Sequence, residues 1–399
     1  MAFPPTHDEL ALVVRDHAGR LAASLVHLVG DFATAEDLVA DAIEAALTHW
    51  PIDGIPERPD AWLYTVARRR GLDHLRREDR HRQKLTLVPW PAEPEPDDRL
   101  RLIFTCCHPA LPRAAQVALT LRVVCGLTTT QIAKAFLVPE STVGQRITRA
   151  KRKISDAGIP YRIPSADELG SRLTEVLAVI YLLFNEGYLS TTGDRTHSRD
   201  LTGDAEFLGA LLHTLMPTEP EVAGLLALIQ LHRARAAARF DDRDEIIQLH
   251  DQDRSRWDYN AIAAAGQLIA RAAAQQRPGP YQLQAAIVAC HAEARTWEET
   301  DWVQIVVLYD MLLRLAPSPV TRLHRAIALR YVTGSAAALT EVDALHEALS
   351  DYHLFHATRA EFLHTLGDTT AAHAANERAL ALTTNPAEQS LLRQRLEWR

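Results

Sequence analysis

Lysine is scarce in this 399-residue chain, and none occurs beyond Lys153. The four lysines are Lys84, Lys134, Lys151 and Lys153, so arginine alone carries the permanent positive charge of the remainder. Cysteine is as sparse. Cys106, Cys107, Cys125 and Cys290 are too few in a chain of this size for a disulfide framework. No run of about 18 apolar residues is present, which argues against a membrane-spanning helix. The opening Met1-Ala-Phe-Pro-Pro5 lacks the basic-then-apolar pattern of a secretory signal, and the chain reads as cytoplasmic with no membrane partner. Signatures of catalysis are missing too: no phosphate-binding glycine loop, dinucleotide fingerprint, zincin motif or nucleophile elbow occurs. The adjacent Cys106-Cys107-His108 cannot readily adopt the spaced-pair geometry of structural zinc, and no second spaced pair follows. No catalytic residue, metal ligand or cofactor is expected.

What is present is a soluble, globular composition, 47% apolar and 24% charged, long enough for two or three domains. The formal net charge of −8 is unevenly spread. Residues 1–160 hold 21 Lys+Arg against 20 Asp+Glu, and residues 161–399 hold 22 against 31. Within the first part, Arg68 to Lys84 carries eight basic and three acidic side chains, and Arg146 to Lys153 carries five basic and none acidic. Binding to phosphates needs local positive potential rather than a basic whole protein. Either run taken alone is equally a solvated helix face.

The pattern is helical nearly throughout, and the fold expected is all-α. Residues 8–29 read as one amphipathic helix. Thr34 with Asp37 resembles a capping box, followed by an apolar face of Leu38, Ala42, Ile43, Ala46, Leu47 and Trp50. A third helix from near Asp60 places Trp62, Leu63, Val66, Ala67 and Leu75 on one side; that stripe makes Trp62 a core residue rather than a stacking platform. Pro89, Pro91, Pro94 and Pro96 then mark a flexible linker. The expected organisation is a first domain over 1–78, a linker over 79–98, a second domain over 99–157, and a helical extension over 165–399. Ser165 with Glu168 caps the first helix of that extension. Gly334 and Gly367, 33 residues apart in two helix–glycine–helix segments, give it a tetratricopeptide-like character over about 301–399.

The sharpest local signal spans Thr128 to Lys153. Two helices flank Leu137-Val-Pro-Glu140, with Ser141 or Thr142 available to cap the second. Ile132, Ala133, Phe136, Val138, Val143 and Ile147 fall where two crossed helices must pack. The second helix turns Gln145, Arg146, Thr148, Arg149 and Arg152 the other way, side chains able to contact base edges and phosphates in a major groove. This is a helix-turn-helix pattern.

The two basic helical units, their order and their linker resemble the extracytoplasmic-function sigma factors, two-domain members of the sigma-70 family. Thr34-Ala-Glu-Asp-Leu-Val-Ala-Asp41 is similar to the core-binding segment of region 2. Ala61 to Arg77 is similar to its −10-reading helix, and the helix-turn-helix to region 4, which reads the −35 element. Two departures stand out: Ala40 replaces a common glutamine and Arg69 a frequent asparagine. Arg101-Leu-Ile-Phe-Thr-Cys-Cys-His-Pro-Ala-Leu111 and Leu182-Leu-Phe-Asn-Glu-Gly-Tyr188 resemble the subgroup with a long C-terminal helical extension of tetratricopeptide type. Membership of that subgroup implies an extension that takes part in regulation, through a protein or small-molecule regulator, without a membrane-bound anti-sigma partner.

The resemblance implies core RNA polymerase and promoter DNA as partners. It places polymerase contact on Asp37, Asp41 and Glu44, an i, i+4, i+7 acidic stripe opposite the apolar face. It places −10 contact on Arg68, Arg69, Arg70, His74, Arg76 and Arg77, with a base pocket from the loop Ile52–Pro59. The −35 contact falls on Ser141, Thr142, Gln145, Arg146, Thr148, Arg149 and Arg152. Asn185-Glu186-Gly187 reads as a helix-ending turn. The alternative is a polymerase-independent helix-turn-helix repressor with a ligand-sensing helical domain; a requirement for core polymerase separates the two.

Overall fold

A computed structural model describes residues 17–26, 29, 31–78, 99–136, 138–189, 201–241 and 245–396, without the side chains of 74–78, 134 and 189. The expected linker at 79–98 and the start of the first helix lie outside them. Among the described residues the fold is all-α, with one isolated antiparallel bridge between Phe240 and Ile246. The chain divides into two units, residues 1–187 with 197–208, and 188–196 with 209–399.

In the first unit, α1 covers 17–26, α2 Phe32–Asp53 and α3 Pro59–Glu78. Leu38, Ala42, Ile43, Ala46 and Trp50 of α2 are buried, as are Leu63 and Ala67 of α3. Trp62 meets Trp50 edge-to-face at 5.3 Å, so it packs rather than offering an open ring. The cap of α2 differs from expectation. Asp31 is the N-cap, accepting from the Thr34 N–H at 2.7 Å and its hydroxyl at 2.6 Å. Phe32, buried, is the first helical residue, and Thr34 therefore falls in the first turn. Burial alone would raise the Asp31 pKa; the Thr34 hydrogen bonds outweigh it and hold the carboxyl below its usual value. The loop before α3 is also shorter than read, because Ile52 and Asp53 complete α2 and Gly54 turns the chain at φ 85°.

The second half of this unit holds α4 Arg99–Cys106, α5 Arg113–Val123, α6 Thr129–Ala135, α7 Glu140–Asp156 and α8 Ala166–Leu189. The Ser165–Glu168 cap forms: the Glu168 carboxylate accepts from the Ser165 N–H at 3.1 Å and hydroxyl at 2.8 Å, and these bonds, with Arg162, lower its pKa to about 2. Gly187 does not end a helix. It lies inside α8, where an added Cβ would stand 2.7 Å from the Leu201 Cβ, so its role is close approach of the next helix, α9 Leu201–Leu215.

α8 is tied to the α4–α5 corner. The Arg172 guanidinium donates to the Phe104 carbonyl at 2.6 Å, and Arg113 pairs with Glu175 at 2.7 Å. At that corner Cys106 and Cys107 are buried, with the Cys107 sulfur 3.5 Å from the Thr120 hydroxyl. Burial pushes both thiols up, Cys107 to about 11. A thiol with so high a pKa stays protonated at pH 8, and the thiolate is the reactive form. Native protein should therefore resist iodoacetamide at Cys106 and Cys107, and urea should release both; rapid native labelling by mass spectrometry would contradict the burial.

The second unit runs through α10 Pro220–Ala234, α11 Tyr259–Ala273, α12 Pro280–Glu293, α13 Trp302–Leu315, α14 Pro319–Thr333, α15 Ser335–Asp343, α16 His346–Leu349, α17 His353–Thr365, α18 Thr369–Leu382 and α19 Pro386–Arg395. Gly334 (φ 88°) turns the chain from α14 to α15, and Gly367 (φ 85°) from α17 to α18, both at a positive φ that a residue without a Cβ takes cheaply. Asn376 of α18 is buried and its side-chain amide donates to the Leu392 carbonyl at 3.0 Å.

Candidate nucleic-acid and polymerase interface

The helix-turn-helix is built from both ends. Gln131 accepts the Thr128 N–H at 2.8 Å and the Thr128 hydroxyl accepts the Gln131 N–H at 3.2 Å, a reciprocal cap that starts α6. The Thr130 hydroxyl donates to Glu140 at 2.9 Å, fastening α6 to the first turn of α7. Neither Ser141 nor Thr142 caps α7. Pro139 is its N-cap, and the Pro139 carbonyl accepts the N–H groups of Thr142 and Val143. Proline fixes φ and has no N–H to satisfy, so it sets the turn without a side-chain cap.

Ile132, Ala133, Val143 and Ile147 are buried between the two helices, Phe136 and Val138 are only half-buried, and Ala150 and Ile154 continue the inner stripe of α7. One face of α7 leaves Ser141, Gln145, Thr148, Arg149 and Arg152 exposed, with Thr142 and Arg146 half-buried. Arg152 bonds Asp156 at 3.2 Å, an exposed i, i+4 pair worth about 0.5 kcal/mol and easily exchanged for phosphate.

On α3, Arg69 and Arg70 are exposed and Arg68 half-buried. The side chains of His74, Arg76 and Arg77 lie outside the described residues. Arg70 pairs with Asp41 of α2 at 3.0 Å, so a −10 candidate and a polymerase candidate share a bond. Glu44 is exposed, while the carboxylate of Asp37 meets the Lys151 ammonium at 2.5 Å.

That last contact belongs to a cluster the sequence reading missed. Glu36 is buried and pairs with both Arg122 of α5, at 2.8 Å, and Lys151 of α7. Burial alone would lower the Lys151 pKa; Glu36 and Asp37 outweigh it and hold the ammonium above its usual range. Gly19 of α1 adds a second approach between the two halves, with the site of a Cβ 3.1 Å from the Arg99 side chain. A signal was available. Glu36 lies four residues after Phe32, three before Val39 and seven before Ile43, an acid inside an apolar stripe that demands a buried cation.

Two basic helices with this internal packing are matched by two family models: sigma-70 region 2 over residues 13–81 and sigma-70 region 4 over residues 101–154. The chain is also 31% identical over 147 residues to the ECF RNA polymerase sigma factor SigL of Mycobacterium tuberculosis, covering 35% of this chain and 82% of that one. The chain belongs to the extracytoplasmic-function sigma factors of the sigma-70 family. It is thus a transcription-initiation factor that binds RNA polymerase, and not an enzyme.

A probable sigma factor of the same organism, SigI, is 29% identical over 173 residues, covering 40% of this chain and 59% of its own length. An uncharacterized protein of Rhizobium meliloti is 44% identical over 380 residues, 91% of this chain and 89% of that one, so the similarity extends through the C-terminal part. Residues 172–273 match a family of unknown function, DUF6596. No solved structure matches the chain. Among the described residues no helix is long and apolar enough to cross a membrane.

Proposed function

We propose that this sigma factor reads the −35 element with the exposed face of α7 and engages single-stranded −10 DNA with Arg68, Arg69, Arg70, His74, Arg76 and Arg77. Core polymerase docks on Asp37, Asp41 and Glu44, and the factor works in the cytoplasm. Its expected domain bounds remain 1–78, 99–157 and 165–399. The observation that carries the −35 assignment is the division of α7 into a buried stripe and a polar, cationic face. Gln145, Thr148 and Arg149 are assigned to base edges, and Arg146 and Arg152 to phosphates, with Ser141 and Thr142 at the end of the helix that enters the groove first. Arg149→Ala should cost roughly 1–3 kcal/mol on the preferred promoter and relax base choice, whereas Arg152→Ala should weaken all sequences alike and flatten the salt dependence. Holoenzyme binding to a promoter library measures both; equal, sequence-blind losses would refute the assignment.

For polymerase docking, the double change Asp41→Lys and Glu44→Lys reverses charge on an exposed stripe and also breaks the Arg70 pair. Retention of the variant by core polymerase in a pull-down should fall while helicity by circular dichroism stays normal. Normal retention would move the contact to another face.

The C-terminal extension acts, in this reading, as a regulatory part that braces the DNA-reading helices and answers to a protein or small molecule. The bonds from α8 to the α4–α5 corner support bracing, because they fix part of the extension on the helix-turn-helix half. Masking by scattered acids is screened within about 8–10 Å at physiological salt.

A further inference from the structure

Several half-buried arginines among the described residues of the second unit are matched to carboxylates. Arg330 and Arg395 share Glu361, and Arg325 takes Asp310 at 2.6 Å. Arg235, the residue after α10, is 6% exposed, yet no carboxylate lies within ion-pair distance of it among the described residues. Its Nη2 donates to His232 Nδ1 at 3.0 Å, and its Nε has no acceptor. A guanidinium cannot shed its proton, so a buried one without a counter-charge costs several kcal/mol that the fold does not recover locally.

Further donors without acceptors collect around it. The Arg254 guanidinium lies 4.6 Å from the Trp257 ring and that of Arg235 lies 5.9 Å from it, on one buried indole. Arg254 Nη1 is used by the carbonyls of His291 and Ala294, at 2.8 and 2.5 Å, which leaves Nη2 buried and unpaired. The Trp257 indole N–H and His291 Nδ1 are likewise buried without a partner. Burial, with Arg235 and Arg254 nearby, lowers the His291 pKa to about 4, so that imidazole adds no third charge. Side chains that give hydrogen bonds, two of them fixed cations, meet here; Arg254 is only half-buried and also feels the Glu298 and Glu299 carboxylates, whereas Arg235 has no carboxylate acting on it.

We propose that Arg235, Arg254 and Trp257 form a receptor for a small anionic metabolite bearing a carboxylate or phosphate group. The oxyanion supplies the missing counter-charge, and the indole N–H a neutral third donor. This deepens the reading of the extension as regulatory by naming the class of its ligand. Binding is measured directly, so its failure is separable from a failure of regulation, which transcription by truncated chains reports.

The test is thermal melting of the full-length chain in sodium phosphate, sodium succinate or sodium chloride at equal ionic strength. At least one oxyanion should raise the melting temperature saturably, by about 3–6 °C at tenfold its Kd, and chloride should not. Phosphate alone identifies a phosphorylated ligand, succinate alone a carboxylate. Arg235→Met, of similar length and without charge, should melt at or above the parent in chloride and lose the oxyanion effect. Arg254→Gln should raise the apparent Kd at least tenfold, and it decides alone if Arg235→Met does not fold. No saturable rise, or a rise that persists in Arg254→Gln, overturns the proposal; the latter would place the anion on the DNA-reading arginines of the first unit.

Discussion

A chain ending after Pro160 should melt about 10 °C lower in its helix-turn-helix half and transcribe close to background, whereas one ending after Leu189 should keep the thermal stability of that half. The difference between them is α8. Its removal takes Arg172 from the Phe104 carbonyl and Glu175 from Arg113, and uncovers a corner where Leu102, Ile103, Phe104, Cys106 and Cys107 are buried. A hydrogen bond from a charged donor to a buried carbonyl contributes about 1.5–3 kcal/mol, and the half-exposed Arg113–Glu175 pair under 1 kcal/mol. In a half of about 100 residues each kcal/mol moves the melting temperature by about 4–8 °C. The longer fragment should bind core polymerase yet transcribe less than the full chain, since it lacks the rest of the extension. Calorimetry and a run-off assay read the two effects. A fragment ending after Pro160 that outperforms the full-length factor would reverse bracing into autoinhibition.

Glu36→Ala should have the largest effect of any single substitution in the first unit. It leaves Arg122 and Lys151 facing each other in a largely buried place, and stripping one member from such a cluster costs about 3–5 kcal/mol. For a unit of about 200 residues this lowers the melting temperature by about 6–20 °C. Combining it with Lys151→Met should recover part of the loss, because the second change removes one of the two cations that Glu36 held together, and the Asp37 it leaves is exposed to water; the coupling in a double-mutant cycle isolates the contact between α2 and α7. An Glu36→Ala protein that melts with its parent would mean that the two helices do not meet in solution. The same contact has a functional side. Lys151 stands on the helix assigned to −35 DNA and Asp37 on the stripe assigned to polymerase, so in this arrangement each occupies the other.

Much of this was legible along the chain because it depends on local spacing. The 3.6-residue period of Leu38, Ala42, Ile43, Ala46, Leu47 and Trp50 marks a buried face whatever lies opposite it, and all but the half-buried Leu47 are buried. The crossed helices at Ile132, Ala133, Val143 and Ile147 follow from the same logic, as do the glycine turns at Gly334 and Gly367, where only a residue without a Cβ takes positive φ cheaply. Helix starts were less secure. Several oxygen-bearing side chains compete to cap each one; Asp31 caps α2 through Thr34, and Pro139 starts α7 without Ser141 or Thr142.

Only the tertiary structure joined residues far apart in sequence. Glu36 finds Arg122 and Lys151 across 86 and more positions, Arg172 finds Phe104 across 68, and Gly187 meets Leu201 because two helices approach, not because one ends. Arg235 shows the limit most clearly. After the apolar run of α10, a cation at the helix end is what the macrodipole favours, and composition gives no hint that its charge goes unmatched. The residue type and local period are properties of the chain, so the sequence determined the helices, their buried faces and the sigma-factor pattern. Whether a buried charge meets its counter-charge depends on which helices come together, and that was decided by packing.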